Sequence, residues 1–224
     1  MVARQTTSCR RHRHPEFRIT YDPALVPVED DVRWFVGWLE EAVAGGERFA
    51  DGQTCQVGWI VTEVRAGSDG SLALWEPDMR QMPIAWVESV SYTLAHLRRQ
   101  KDVCESVLAA DELSFPSMLQ SAIICTHLGQ TEGVVMERSK PSGSDSGWFC
   151  GCIGDEHDHN RVGELRQVSL YEAAVRYAPR IVPYLALPEG VLVAVDDRAP
   201  TIFRHGQPLA LKPGSYLAMR YRDR

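Results

Sequence analysis

The sequence has no apolar run approaching the roughly 20 residues of a membrane-spanning helix, which excludes a helical integral membrane protein. Its first residues, MVARQTTSCRRHRHPEFRIT, lack the apolar stretch of a signal peptide, so the expected compartment is the cytoplasm. Six cysteines in 224 residues are too sparse for a disulfide scaffold, and without an export signal the thiols are expected to stay reduced. There is no phosphate-cradling glycine-rich loop, no Gly-x-Ser-x-Gly elbow and no His-Glu-x-x-His pair, so several enzyme classes lose their usual support. No repeat with a period of about 20 to 50 residues is apparent, which argues against solenoids and propellers. Nothing in this inventory implies a cofactor.

What the sequence does have is an ordinary globular balance of 44% hydrophobic and 24% charged residues, enough to bury cores without metals or disulfides. The length suits two small domains. The formal charge of −6 is unevenly spread: residues 1–20 hold five Arg against Glu16, residues 21–112 hold 17 acidic and 7 basic side chains, and residues 113–224 hold 12 of each. That assigns +4 to the start, −10 to the middle and zero to the rest. An acidic half repels nucleic acid and favours a basic protein partner through association rate. The Arg and His cluster from Arg10 to His14 reads as a mobile basic tail over residues 1–20.

Asp30 and Asp31 precede apolar positions Val32, Phe35, Val36, Leu39, Ala42 and Val43 at the spacing of one helix face, and Gly45-Gly46 supplies the stop. Trp34 and Trp38, four apart, lie on a neighbouring stripe. Gln56 to Val64 and Ser71 to Trp75 read as strands joined by a Gly67-Ser68-Asp69-Gly70 turn. Pro77 and Pro83 interrupt the chain before a helical pattern from about Ile84 to Leu108. The acidic, small-residue burst at Ala109 to Pro116 then marks a domain boundary.

The second half opens with strand-like Ser121 to Leu128 and Val134 to Arg138, followed by a polar loop and the apolar run Trp148 to Ile153. Ser169 begins a short helix that Pro179 ends. Val191 to Val195, Thr201 to Phe203 and Tyr216 to Met219 are the remaining strand candidates. Strands cluster around few helices instead of alternating with them, which predicts an α+β fold. The expected organisation is a 1–20 tail, an acidic 21–112 domain and a 113–224 domain, each domain a mainly antiparallel sheet with one or two helices.

The densest polar cluster is Asp155-Glu156-His157-Asp158-His159-Asn160, just after Cys150-Gly151-Cys152. Imidazole, carboxylate and thiolate bind zinc, so His157, His159 and Asp155, with Cys150 or Cys152, form a candidate metal set. Two thiols one residue apart depart from the usual zinc spacing, and a solvated loop of Asp and Asn side chains on backbone amides explains the cluster equally. Cys150 or Cys152 near a histidine is the pattern of a nucleophilic site, but Trp-Phe-Cys-Gly-Cys-Ile reads as a buried strand, where thiols are inert.

Ser146-Gly147-Trp148-Phe149, with Gly154-Asp155-Glu156 beyond, resembles a bacterial family of immunity domains of polymorphic and type VI secreted toxins, the immunity-thirty-three-like family. The likeness continues through Ser169 to Tyr177, Pro179, Ile181, Pro183, Leu185 and Pro188-Glu189-Gly190, covering about residues 118–206. Cys150-Gly151-Cys152 and the two histidines depart from the pattern. The resemblance implies a non-catalytic protein that captures a cognate secreted toxin, with a basic nuclease effector as the partner the acidic half suits. Trp34, Trp38, Trp148, Asp155 and Glu156 are then the candidate partner-binding residues. A small metal-dependent enzyme or metal-binding regulator using the 155–159 cluster is the alternative.

Overall fold

The computed structural model describes residues 1–131, 133–154, 158–159, 161–196 and 198–222. The chain divides into two compact units, Met1–Arg98 and Arg99–Arg224, each built on its own sheet, so the α+β expectation holds.

In the first unit the strands are β1 (Val2–Gln5), β2 (Phe17–Tyr21), β3 (Thr54–Val57), β4 (Ile60–Ala66), β5 (Leu72–Pro77) and β6 (Trp86–Val87). They pair in the order β1-β2-β5-β4-β3, with β6 on β5. Only β2 and β5 run parallel; the other pairings are antiparallel. Helix α1 (Glu29–Ala44) buries Val32, Phe35, Leu39 and Val43, and they join Phe17, Ile19, Tyr21 and Leu74 in one core. Three acidic residues in its first turn complement the positive end of the helix dipole. Helix α2 (Ser91–Glu105) follows β6. Its start is capped from β5: the buried Glu76 carboxylate accepts hydrogen bonds from the amides of Tyr92 (3.1 Å) and Thr93 (2.7 Å) and from the Thr93 hydroxyl (2.8 Å). Burial raises the Glu76 pKa despite these donors.

The first twenty residues are not a tail. Phe17, Ile19 and Tyr21 alternate inward along β2, the period-two pattern of a half-buried strand, and β1 pairs along its edge from Val2↔Tyr21 to Gln5↔Arg18. The turn between them is organised by Glu16, 5% exposed, which accepts from the Thr6 hydroxyl (2.6 Å) and from the amides of Cys9 (3.2 Å) and Arg10 (3.0 Å). His14 is fixed as well, its Nδ1 2.7 Å from the Pro15 carbonyl and its Nε2 3.0 Å from the Phe49 amide. Glu40 on α1 accepts from the amides of Thr7 and Ser8.

The second unit contains the rest of α2 and the strands β7 (Ser121–Cys125), β8 (Val134–Arg138), β9 (Asp145–Cys152), β10 (Leu165–Ser169), β11 (Val191–Val195), β12 (Thr201–Arg204) and β13 (Gln207–Pro208). Their order is β10-β7-β9-β8-β11-β12-β13, and only β7 and β9 are parallel neighbours. Ser169 caps α3 (Leu170–Glu172) through its hydroxyl, which accepts from the Glu172 amide at 3.0 Å. The helix then widens into a π turn at Ala173–Tyr177 and a 3₁₀ turn at Pro179–Tyr184.

Three further expectations are corrected. The run Gln56 to Val64 is two strands, because Gly58 at φ 61° lets the chain reverse between Val57 and Ile60. Tyr216–Arg220 forms helix α4, not a strand; the Ser215 hydroxyl accepts from the Ala218 amide at its start, and so short an apolar run has no period to decide between the two. The division falls inside α2 rather than in the 109–116 burst. That burst is tied into the second unit by the Ser114 amide on the Ala186 carbonyl (2.9 Å) and by the Glu112–Arg204 ion pair.

Glu16→Ala is expected to destabilise the first unit by on the order of 3 kcal/mol by stranding three donors, read as a lowered denaturant midpoint. Burial raises the Glu16 pKa, but the Thr6 hydroxyl and the Arg10 and Cys9 amides outweigh it, leaving the value below the ordinary 4.5. A depressed carboxylate contributes stability that is fully present above 4.5 and is lost as pH falls through the lower folded value. Acid titration of the wild type should show this loss, and Glu16→Gln should flatten it.

Candidate functional site

The Ser146-Gly147-Trp148 segment lies on β9, and its role is internal. Arg138, at the end of the neighbouring β8, is 2% exposed and has no salt bridge among the described residues. Its guanidinium donates to backbone carbonyls instead: Ser114 (2.6 Å), Leu187, Leu185 (3.4 Å) and Ser146 (3.4 Å). Burial lowers its pKa to about 10. It also lies over the Trp148 ring, 5.5 Å from the centroid, and the Trp148 indole N–H donates to the Leu185 carbonyl at 3.1 Å. The Ser146 hydroxyl donates to Ser121 on β7 (2.7 Å) and accepts from the Trp148 amide (3.3 Å). Between them Gly147 is at φ 77°, and a Cβ there would lie 2.1 Å from the Ser139 carbonyl oxygen, so only glycine fits.

This corrects the reading of Trp148 as a partner anchor: at 1% exposure it is core. Trp34 is the opposite case, 52% exposed on α1, while Trp38 is half-buried and stacks on Phe35 with ring centroids 5.7 Å apart. Asp155, Glu156 and His157 lie outside the described residues. His159 is described, and its partners differ from those the local cluster suggested. Its Nε2 is 3.5 Å from the Cys152 sulfur, which is 3.7 Å from the Cys125 sulfur. Cys150, two residues earlier on β9, is fully buried, and burial pushes its thiol up to about 12. Burial first, and then Cys125, push Cys152 up to about 11. Thiols this weakly acidic are poor nucleophiles at neutral pH.

A cleft of about 290 Å³ in the second unit lies between the last turns of α2, the 179–184 turn, the end of β11 and α4. Arg99, Arg180 and Arg220 line it together with Tyr184, Tyr216 and Tyr221, and Asp196 is the described acidic residue among them. Arg220 donates to the Tyr216 hydroxyl (3.1 Å) and lies 5.9 and 5.8 Å from the Tyr216 and Tyr221 ring centroids. Burial, reinforced by Tyr221 and Tyr216, pushes the Tyr184 hydroxyl upward, so it remains a neutral donor. Among the described lining residues no nucleophile stands beside a general base; guanidinium and phenol groups suit binding. Sequence reasoning missed this cleft because its residues are scattered from position 99 to 221 and carry no local motif.

Residues 99–204 match the family model of the Imm33-like domain. The similarity to this family lies wholly within the second unit. The match begins at the unit's own first residue and takes in the end of α2, earlier than the resemblance at 118–206 suggested. No curated protein and no solved structure matches the chain. Within the second unit the Ser-Gly-Trp motif therefore sets the fold, while the arginine-lined cleft offers a surface.

Arg138→Met should lower the stability of the second unit by at least about 3 kcal/mol, since several buried carbonyls lose their donor, corresponding to roughly 6–12 °C in Tm. Gly147→Ala should be at least as damaging. A melting curve within about 2 °C of wild type for either variant would contradict the assigned roles.

Proposed function

We propose that the protein is an immunity protein that binds a cognate secreted toxin and neutralises it by occlusion, with no chemistry of its own. The Imm33-like match at residues 99–204 carries this reading. The cleft supports it, because Arg and Tyr are the residues that concentrate binding energy at protein interfaces. Trp34, a large exposed aromatic on the acidic helix α1, is the corresponding anchor on the first unit.

A nuclease effector of a type VI secretion system, met in the cytoplasm, is the specific partner we assign. Charge gives this assignment less weight than the −10 segment suggested, because the basic start of the chain folds into the same unit. Residues 1–98 hold 14 acidic and 10 basic side chains and residues 99–224 hold 16 and 14, giving −4 and −2. Both units remain acidic, the sign that complements a phosphate-binding toxin. Among the described residues no helix is long and apolar enough to cross a membrane.

Co-expression with the toxin encoded beside it should restore growth, and the two proteins should co-purify. Arg180→Glu is expected to weaken the complex by at least about tenfold, equivalent to about 1.4 kcal/mol, and Trp34→Ala by a similar factor. Full rescue and unchanged Kd in the double variant would remove both surfaces from the interface. If the partner is basic, the association rate should fall steeply between low and physiological salt; a flat dependence would count against the nuclease assignment.

A further inference from the structure

The cysteine pair at the end of the second sheet has geometry that the core-packing role expected of a small thiol does not require. β7 and β9 are parallel neighbours, so their carboxyl ends emerge at the same edge of the sheet, and each strand ends in a cysteine, Cys125 and Cys152. His159, seven residues further along, returns to the same point. The three ligand atoms all lie within 4.8 Å of one another. We propose that Cys125, Cys152 and His159 form a binding site for a soft divalent cation, zinc in the first instance.

Distances carry the argument. With metal–sulfur bonds of about 2.3 Å and metal–nitrogen bonds of about 2.0–2.1 Å at tetrahedral angles, neighbouring ligands stand about 3.8 Å apart for two sulfurs and about 3.6 Å for sulfur and nitrogen. Here the two sulfurs are 3.7 Å apart and the Cys152 sulfur is 3.5 Å from His159 Nε2. These are two edges of such a tetrahedron. A disulfide would instead require about 2.05 Å.

The surroundings fit the same chemistry. The His127 amide donates to the Cys125 sulfur at 3.3 Å, an outer contact that orients this ligand. The Phe149 ring packs edge-on against the His159 ring, with centroids 6.0 Å apart, and so helps to fix its plane. Two thiolates and an imidazole select zinc over the hard cations magnesium and calcium. A bound metal deprotonates its coordinating thiols outright, so thiols that are inert as nucleophiles still serve as ligands. Among the described residues these three donors make up the set, and a tetrahedral ion takes one further ligand. The site differs from the 155–159 cluster read from sequence in drawing one ligand from β7, and it does not rest on the toxin-binding reading.

The test uses the full-length protein, reduced, stripped with a chelator and titrated with cobalt(II) under anaerobic conditions. About one equivalent should bind per chain, with thiolate-to-metal charge-transfer bands and the visible absorption of a tetrahedral site, and zinc should displace it. Cys125→Ser and Cys152→Ser should abolish the charge-transfer bands or reduce them by half. His159→Ala, at a half-buried loop position where the fold is expected to survive, should weaken affinity by more than about 100-fold, beyond the roughly 10–100-fold losses that outer-shell changes cause. Cys55→Ser should change nothing. Failure of the wild type to bind either metal, or full retention of the bands and affinity in folded His159→Ala and Cys152→Ser proteins, would overturn the proposal.

Discussion

The second unit depends on a buried cation that, among the described residues, is held by carbonyl groups and not by a salt bridge. Arg138 is enclosed by carbonyl groups from three separate segments, Ser114, Ser146 and Leu185 with Leu187, and of these Leu185 also accepts from the Trp148 indole. Desolvating a guanidinium is costly, and an isolated buried charge is rarely tolerated. Several simultaneous carbonyl partners and an aromatic face offset that cost only if all the segments arrive together. The arginine thus makes the folding of β8, β9 and the 185–187 segment conditional on one another. The Ser-Gly-Trp motif is the β9 share of that condition: serine ties β9 to β7, glycine permits the close pass of Ser139, and tryptophan covers the cation.

This explains which parts of the architecture were legible in sequence. Helix α1 was readable because its apolar face repeats at 3.6 residues and its ends carry acidic and glycine signals, and β8 and β11 because each is a short apolar run between turn residues. The first twenty residues were misread for a physical reason. The alternation Phe17, Ile19, Tyr21 was cut by placing a boundary at 20, and the force that folds the preceding turn comes from a carboxylate, Glu16, which no hydrophobic pattern records. α4 was misread because five residues hold too little periodicity to separate helix from strand.

The functional surfaces were less legible than the fold. The motif that carries the family resemblance is interior, so its tryptophan was assigned to an interface on the strength of residue type alone. The cleft is assembled from separated arginines and tyrosines with no spacing rule. The cysteine and histidine cluster was half visible: the 150–159 segment drew attention to thiols and imidazoles together, but the ligand set depends on Cys125, which lies 27 residues before Cys152 and joins it only because β7 and β9 are parallel.

The position of the division within α2 has a practical consequence. A fragment excised at residue 113 would discard Val103, Cys104, Val107 and Leu108, all buried, together with Gln100, whose side-chain amide donates to the Val182 carbonyl at 2.9 Å. Such a piece would expose an apolar flank to solvent and be prone to precipitate. A soluble truncation would have to keep α2 from Arg99 onward and also α4, whose Leu217 is buried, so the smallest autonomous portion is larger than the family match.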